Sequence, residues 1–241
     1  AYTRAVELIP TDLQALRGQI PLLFEAGQFV DAKHGCETAL REHRELLGAK
    51  EQAELLSLLG ASEHRLSHDE AAQSALRQAL ELDPLHRQSL RTLRQIETLD
   101  PAQKLSCRQA LLKSLQSPEA MAESGSQEER LKLLTEIGDL YAGVLSDPQA
   151  ALASYAQGLE LQPNSPTLMH KQFEVVCAQG QWKEAVPILD KLFAVEKSTM
   201  RKARFKQTAA LICRDQLQDL PQALQYFHAA LDEDATLTKC M

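Results

Sequence analysis

Two histidines four residues apart have the spacing of a metal site on one helix. His64 and His68 could place two imidazoles on the same face to bind zinc, and Asp69 and Glu70 follow them directly. However, Ser67 to Glu70 fits a capping box that begins the next helix, which places His68 beyond the helix that carries His64. We therefore expect structural or surface histidines, with a zinc site as the alternative, and predict no metal and no cofactor.

The five cysteines form no set that is typical of catalysis or of a disulfide framework. Cys36, Cys107, Cys177, Cys213 and Cys240 lie far apart, and no C-x-x-C motif occurs. No neighbouring residue in the sequence would lower the pKa of these thiols. Unpaired cysteines favour a reducing compartment, so we expect a cytoplasmic location. Phosphate-binding loops and G-x-S-x-G are absent as well, so the sequence does not predict an enzyme.

Two groups of basic residues are candidate docking sites for an acidic partner, with a solvated helix face as the alternative. The groups are Arg87, Arg91 and Arg94, and then Lys197, Arg201, Lys202, Arg204 and Lys206. The chain as a whole is acidic, with a net charge of −7. A broad phosphate-binding surface needs a basic face, so we expect no nucleic-acid partner.

The composition is that of a helical protein with a real core. Hydrophobic residues make up 44% of the 241 residues but aromatic residues only 5%, and runs of β-branched residues are missing. No apolar run is long enough to span a membrane, so we expect no membrane segment in this sequence. The chain begins without Met and inside a repeat, which indicates a piece of a longer protein.

A pattern of small and apolar residues recurs along the chain. The stretch Ala151–Pro163 reads A-x3-Y-x2-G-L-x3-P, and Ala72–Pro84 has the same spacing. Ala32–Leu40 and Ala223–Leu231 lack only the proline, and Ala185 lies 34 positions after Ala151. A fixed period of this size predicts stacked helical hairpins.

This pattern resembles that of the tetratricopeptide repeat (TPR) proteins. The matching positions of two repeats are Leu56, Leu59, Gly60, Ala72, Leu76, Ala79 and Pro84, and then Ile137, Gly138, Tyr141, Ala151, Tyr155, Gly158, Leu159 and Pro163. Residues 86–115 match poorly, because Arg94 occupies a small-residue position. The resemblance implies an all-α fold, a right-handed α-solenoid of antiparallel helical hairpins with a TPR-like superhelix.

Proline and capping signals divide this array into helices. We expect them at about 12–26, 28–45, 50–65, 68–82, 86–98, 101–115, 127–145, 148–161, 165–179, 181–195, 199–215 and 220–233, after a broken helix at 1–9. TPR-like repeats then occupy 1–113, with the first repeat truncated, and 127–241. Residues 114–126 are either a linker that can flex or a longer surface loop. The apolar face of the truncated start predicts self-association.

The resemblance also implies a concave groove, lined by the first helix of each hairpin, that binds a peptide or a protein segment. The groove residues would be Arg17, Phe24, Ser57, His64, Arg91, Gln95, Thr135, Asp139, His170, Glu174, Gln207 and Arg214. We therefore expect a non-catalytic interaction scaffold with a protein or peptide partner, whose acidic side chains would meet the arginines. The alternative is a substrate-recognition module of a larger enzyme.

Overall fold

A computed structural model of the chain describes residues 12–234, which form thirteen α-helices and no β-strand. The helices are α1 (Leu13–Glu25), α2 (Phe29–Glu42), α3 (Ala49–Arg65), α4 (Asp69–Leu82), α5 (Arg87–Gln95), α6 (Pro101–Ser114), α7 (Pro118–Ala122), α8 (Ser126–Ala142), α9 (Pro148–Leu161), α10 (Pro166–Ala178), α11 (Trp182–Val195), α12 (Thr199–Asp215) and α13 (Leu220–Glu233). The prediction of an all-α solenoid is confirmed.

The chain divides into two compact units on either side of the Ser126–Gln127 bond. We call them unit 1 and unit 2. Each hairpin consists of a first helix (α1, α3 and α5, then α8, α10 and α12) and a second helix (α2, α4 and α6, then α9, α11 and α13). Within unit 1, α1 contacts α3 and α3 contacts α5, so the first helices lie side by side. The predicted helix at 1–9, and the self-association expected from it, lie outside the described residues.

Glycines let the two helices of a hairpin approach each other closely, as the sequence predicted. A Cβ atom built on Gly60 would lie 2.5 Å from Cγ of Leu76 in α4, and one built on Gly138 would lie 2.7 Å from Cδ1 of Tyr155 in α9. Both distances are shorter than a van der Waals contact, so a side chain at either glycine would force the helices apart. Leu76 and Tyr155 are themselves buried, which makes these crossings part of the core.

Aspartate–proline pairs begin two of the helices as predicted. The side chain of Asp100 accepts a hydrogen bond from the backbone N–H of Gln103 at 2.8 Å, and that of Asp147 accepts one from Ala150 at 3.0 Å. Each bond satisfies one of the unpaired N–H groups of a first turn. Gly27 and Gly180 lie in the short turns between helices, where their φ angles are +77° and +66°.

At two helix starts, the residue that looks like a cap in the sequence is not the N-cap in the structure. Asp83 ends α4 instead of capping a new helix, and α5 begins only after His86, whose Nδ1 accepts a hydrogen bond from the N–H of Ser89 at 3.3 Å. Ser67 does not form a capping box, because its φ of +63° makes it the turn residue itself and leaves His68 at the N-cap. The N-cap therefore lies three residues after Asp83 in the first case and one residue after Ser67 in the second.

Some helix ends also differ from the prediction. Helix α5 ends at Gln95 instead of 98, because the extended Ile96 and then Leu99 turn into the core before Asp100 caps α6. Helices α2 and α8 end three residues earlier than expected. Residues 114–126 contain the short helix α7, which Ser117 caps and which buries Ala120. A five-residue helix with one buried side chain leaves little sequence periodicity to recognise.

Candidate functional site

The first helices of unit 2 are connected by contacts between their surface side chains. Nζ of Lys171 in α10 lies 2.7 Å from Oδ1 of Asp139 in α8. On the other side of α10, the imidazole of His170 meets the ring of Phe205 in α12, with 5.6 Å between the ring centroids. These contacts bring α8, α10 and α12 together into one continuous face. We call this surface the first-helix face of unit 2.

Asp139 is the most firmly held polar group of this face. Besides the ion pair with Lys171, its Oδ1 accepts a hydrogen bond of 2.8 Å from the hydroxyl of Tyr155. Tyr155 is buried, and this burial raises the pKa of its hydroxyl. The hydrogen bond to Asp139 raises the pKa further. The phenol therefore stays protonated and acts as a donor, so the carboxylate of Asp139 has a fixed position before any partner arrives.

Besides Asp139 and Arg214, four residues predicted for the groove lie on these first helices. His170 and Glu174 are exposed one turn apart on α10, and Gln207 is half-buried on α12. Glu174 forms no ion pair with a described residue, so its carboxylate is available to a donor from a partner. Thr135 on α8 is half-buried, and its hydroxyl already donates to the carbonyl of Leu131 at 2.8 Å.

The guanidinium of Arg214 is less available to a partner than its place in the predicted groove suggested. Its Nε and Nη2 atoms donate to the two oxygens of Asp215 at 2.6 and 3.0 Å. This bidentate pair raises the pKa of the guanidinium and lowers that of the carboxyl. An incoming acidic side chain would have to compete with Asp215 for the same donors.

In unit 1, the predicted groove residues of α1 make contacts with their neighbours. Arg17 forms an ion pair of 2.8 Å with Glu51 of α3. Phe24 is half-buried and packs edge-to-face on Phe29 of α2, with 5.4 Å between the ring centroids. Arg65 in turn lies over the ring of Phe29 at 5.7 Å. The aromatic pair is therefore part of the packing between α1, α2 and the end of α3 rather than an open platform.

The prediction for Ser57 was wrong. Ser57 is only 1% exposed, because α3 packs against α1, α2, α4 and α5 at once, and its hydroxyl has no hydrogen-bond partner. On α5, Arg91 is half-buried and Gln95 is exposed. The structure thus leaves part of the predicted row at the surface and places Ser57 in the core.

The paired histidines of the sequence bind carboxylates. Nδ1 of His64 lies 2.9 Å from Asp69, and Nδ1 of His68 lies 2.8 Å from Glu63. The two rings therefore face different partners across the turn between α3 and α4. Among the described residues, no group of three or more His, Cys, Asp or Glu side chains is arranged to hold a metal ion.

Glu63 is a buried charge that the sequence analysis missed. It receives the hydrogen bond of His68 and a 2.7 Å ion pair from Lys33 of α2. Burial alone would raise the pKa of Glu63, but the hydrogen bonds from Lys33 and His68 outweigh it, so the pKa is lowered. The group joins α2, α3 and the following turn. Its signal in the sequence is weak because Lys33 lies 30 positions earlier.

One member of the second basic group of the sequence, Lys206, is held by contacts within unit 2. Lys206 is only 16% exposed, and its Nζ lies 2.8 Å from Asp190 and 4.3 Å from the ring centroid of Phe193. The hydroxyl of Tyr226 donates to the other oxygen of Asp190 at 2.7 Å. Lys206 therefore packs α12 against its neighbours, and its charge is already paired with Asp190.

The four cysteine thiols among residues 12–234 are held in their protonated form. Burial raises the pKa of Cys36 to about 12 and that of Cys107 to about 11. The pKa values of Cys177 and Cys213 are raised as well, mainly by burial. A thiol with such a pKa is a poor nucleophile at neutral pH, since the thiolate is the reactive form.

Each helix of residues 12–234 is too short or too polar to cross a membrane.

Comparison of the structure with solved structures identifies its fold. The C-terminal part of a TPR repeat-containing protein from Cytophaga hutchinsonii superposes with a TM-score of 0.58 at 15% identity, over 99% of this chain and 90% of that one. The assembly chaperone of RpL4 (Acl4, residues 1–338) superposes with a TM-score of 0.53 at 14% identity, over 95% of this chain and 98% of that one. No protein-family model and no curated protein matches the sequence. At these identities the likeness establishes the fold.

Proposed function

We propose that this chain, which has the helical-hairpin fold of TPR proteins, is a non-catalytic scaffold that binds an extended peptide or a partner protein. The binding surface is the first-helix face of unit 2. The protonated, mostly buried thiols of residues 12–234 offer no activated nucleophile, which supports a binding function over a catalytic one. The solved TPR-like structures share this fold with the chain.

The observation that carries the proposal is the fixed carboxylate of Asp139 beside exposed polar groups of the next helices. Tyr155 and Lys171 hold Asp139 in place. His170 and Glu174 offer further hydrogen-bonding groups one turn apart on α10. Polar groups that are already ordered lose little entropy on binding, so they are suited to read the backbone and polar side chains of a peptide.

Near α10, the charges of this face favour basic or hydroxyl side chains of the peptide, whereas the arginines were expected to bind acidic ones. Glu174 is exposed and has no ion-pair partner among the described residues, so it favours a lysine, an arginine or a hydroxyl group of the peptide. Acidic side chains of the peptide would lie toward Arg214, where they compete with Asp215. Each exposed charge contact contributes about 0.2–1 kcal/mol, so we expect modest affinity that falls with added salt.

Peptides selected from a phage-displayed random library against the full chain test the proposal. Their dissociation constants are measured by fluorescence polarisation for the wild type, for Glu174→Gln and for His170→Ala. We expect each variant to weaken binding roughly two- to fivefold, as loss of one exposed polar contact should. Glu184→Gln is the matched control, because Glu184 is equally exposed but lies on the second helix α11.

Selected peptides that bind both variants as tightly as the wild type would overturn the proposal. Peptides whose binding is weakened by Glu184→Gln instead would assign the binding site to the second helices. A library that yields no binding peptide for the intact, folded chain would also count against a peptide-binding function.

A further inference from the structure

A cavity opens between helices of unit 1 and is lined by none of the residues of the proposed binding face. It lies between α2 and α4, above α3, and has a volume of about 420 Å³. Leu40 of α2 and Leu56 and Leu59 of α3 form its apolar floor, together with Ala71 and Ala75 of α4. Alanines on one wall leave space that two or three larger apolar side chains of a partner could fill. We call this cavity the α2/α4 groove.

The charges along the α2/α4 groove are unevenly compensated. Glu63 and Glu37 line it, but they already face Lys33, at 2.7 and 3.9 Å. Arg44, at the other end of α2, is exposed and forms no ion pair with a described residue. Its neighbour Arg41 pairs only with the exposed Glu42 at 2.8 Å. The two ends of the groove therefore differ: Glu37 and Glu63 share one lysine at one end, and Arg44 has no ion-pair partner among the described residues at the other.

The wall formed by α4 offers hydrogen-bonding groups to a backbone. Ser74 and Gln78 are exposed on the groove side of α4, and the only hydrogen bond between them is a long one of 3.4 Å. The N–H and C=O groups of a peptide need such partners when they leave water, whereas the chain of a fatty acid does not. The groove therefore fits a peptide segment better than a lipid.

Unit 2 has a groove in the equivalent place, with a different charge pattern. It lies between α9 and α11, has a volume of about 520 Å³, and carries one acidic and one basic side chain, Glu160 and Lys191. The two grooves therefore share their position in the repeat but differ in the number of charged side chains that line them. The groove of unit 2 serves as a matched control for shape.

We propose that the α2/α4 groove is a second docking surface and binds a short protein segment with leucine-like side chains next to a carboxylate. The apolar side chains lie on Leu40, Leu56 and Leu59, and the carboxylate pairs with Arg44. This surface belongs to unit 1 and uses none of the residues of the first-helix face of unit 2. It can therefore hold a partner segment independently of the proposed function.

Synthetic peptides of defined chemistry test this proposal on the full chain. One fluorescein-labelled panel carries two leucines at varied spacing with glutamates at one end, and a matched panel carries lysines in place of the glutamates. Affinities are measured for the wild type, Arg44→Glu, Ser74→Trp and the control Ala156→Trp, which fills the groove of unit 2. Arg44, Ser74 and Ala156 are all exposed, so these variants should fold, as circular dichroism would verify.

We expect acidic peptides to bind the wild type and Ala156→Trp equally well. Arg44→Glu should weaken them roughly three- to tenfold, because an attraction becomes a repulsion, and Ser74→Trp should abolish binding by filling the groove. The lysine panel should bind more weakly than the acidic panel.

Three results would overturn the inference. The first is that no acidic peptide binds, or that acidic peptides bind Arg44→Glu and Ser74→Trp as tightly as the wild type. The second is loss of binding in Glu174→Gln and His170→Ala, which would assign these peptides to the first-helix face of unit 2. The third is binding of sodium laurate, but of no peptide, with the same dependence on Arg44 and Ser74, which would make the occupant a lipid.

Discussion

Gly60 and Leu76 meet where the two helices of a hairpin cross. Since a Cβ atom on Gly60 would lie 2.5 Å from Cγ of Leu76, we expect Gly60→Ala to destabilise the protein by about 1–3 kcal/mol through overpacking. The same change in a helix without this contact would stabilise by up to ~1 kcal/mol, because alanine is the better helix former. Urea unfolding of the wild type and the variant measures the difference.

The Leu76→Ala background is the control for this prediction. With the opposing side chain gone, Gly60→Ala should destabilise much less, since the one close contact left to its Cβ is the carbonyl oxygen of Ala72 at 3.1 Å. A Gly60→Ala variant that stabilises the wild-type background would show that the helices do not cross at this glycine.

Glu63 should make the stability of the protein depend on pH. Its pKa is lower in the folded protein than the ordinary value of 4.5, so folding favours the ionised form. The stabilisation is therefore complete above about pH 5 and is lost as the pH falls through the folded pKa. We expect Glu63→Gln to cost about 1–3 kcal/mol at pH 7, since it removes charge-assisted hydrogen bonds to Lys33 and His68.

Urea unfolding at a series of pH values from neutral to acidic measures this effect, and the cost of Glu63→Gln should shrink toward the acidic end. Glu37→Gln is the control, because Glu37 is exposed and lies 3.9 Å from the same lysine. It should change the stability by less than ~0.5 kcal/mol. A cost of Glu63→Gln that is the same at every pH would contradict the role of the ionised carboxylate.

At the scale of helices, two aspartate–proline pairs that look alike in the sequence should differ in their effect. Asp100 caps α6, so Asp100→Ala should cost about 0.5–2 kcal/mol. Asp83 ends α4, and its side chain makes only a 3.2 Å bond to the N–H of Leu85 in an exposed turn. We expect Asp83→Ala to cost clearly less, and thermal unfolding compares the two. Equal costs would indicate that Asp83 caps a helix after all.

Asp83 and Asp100 also show how well helix starts can be predicted from the sequence. An aspartate before proline is suited both to cap a helix and to form a turn, and the difference depends on where the next helix packs. That information is not local, so the sequence alone does not show that Asp83 ends α4 while Asp100 caps α6. The hairpins themselves were predicted correctly, because small residues such as Gly60 and Ala151 recur at a period that only stacked hairpins explain.

At the scale of the whole molecule, the sequence indicates less about the proposed binding surface than about the fold. The repeat phase places Asp139, His170 and Glu174 on first helices, where they are exposed, but it cannot show which charges are already paired. The partner of Arg17 is Glu51, which lies on the next first helix. The partner of Arg214 is its own neighbour Asp215, although adjacent residues of a helix do not usually face each other. Charge pairing depends on side-chain geometry that a repeat pattern does not contain.

Hydrogen exchange of the full chain, with and without a peptide selected for binding, tests the scaffold function most directly. Backbone amides of a helix exchange through local opening, and a bound partner suppresses that opening where it contacts the helix. We predict slower exchange in α8, α10 and α12, with α9, α11 and α13 changed less. Protection confined to those second helices, or no change anywhere in unit 2, would contradict binding on the first-helix face.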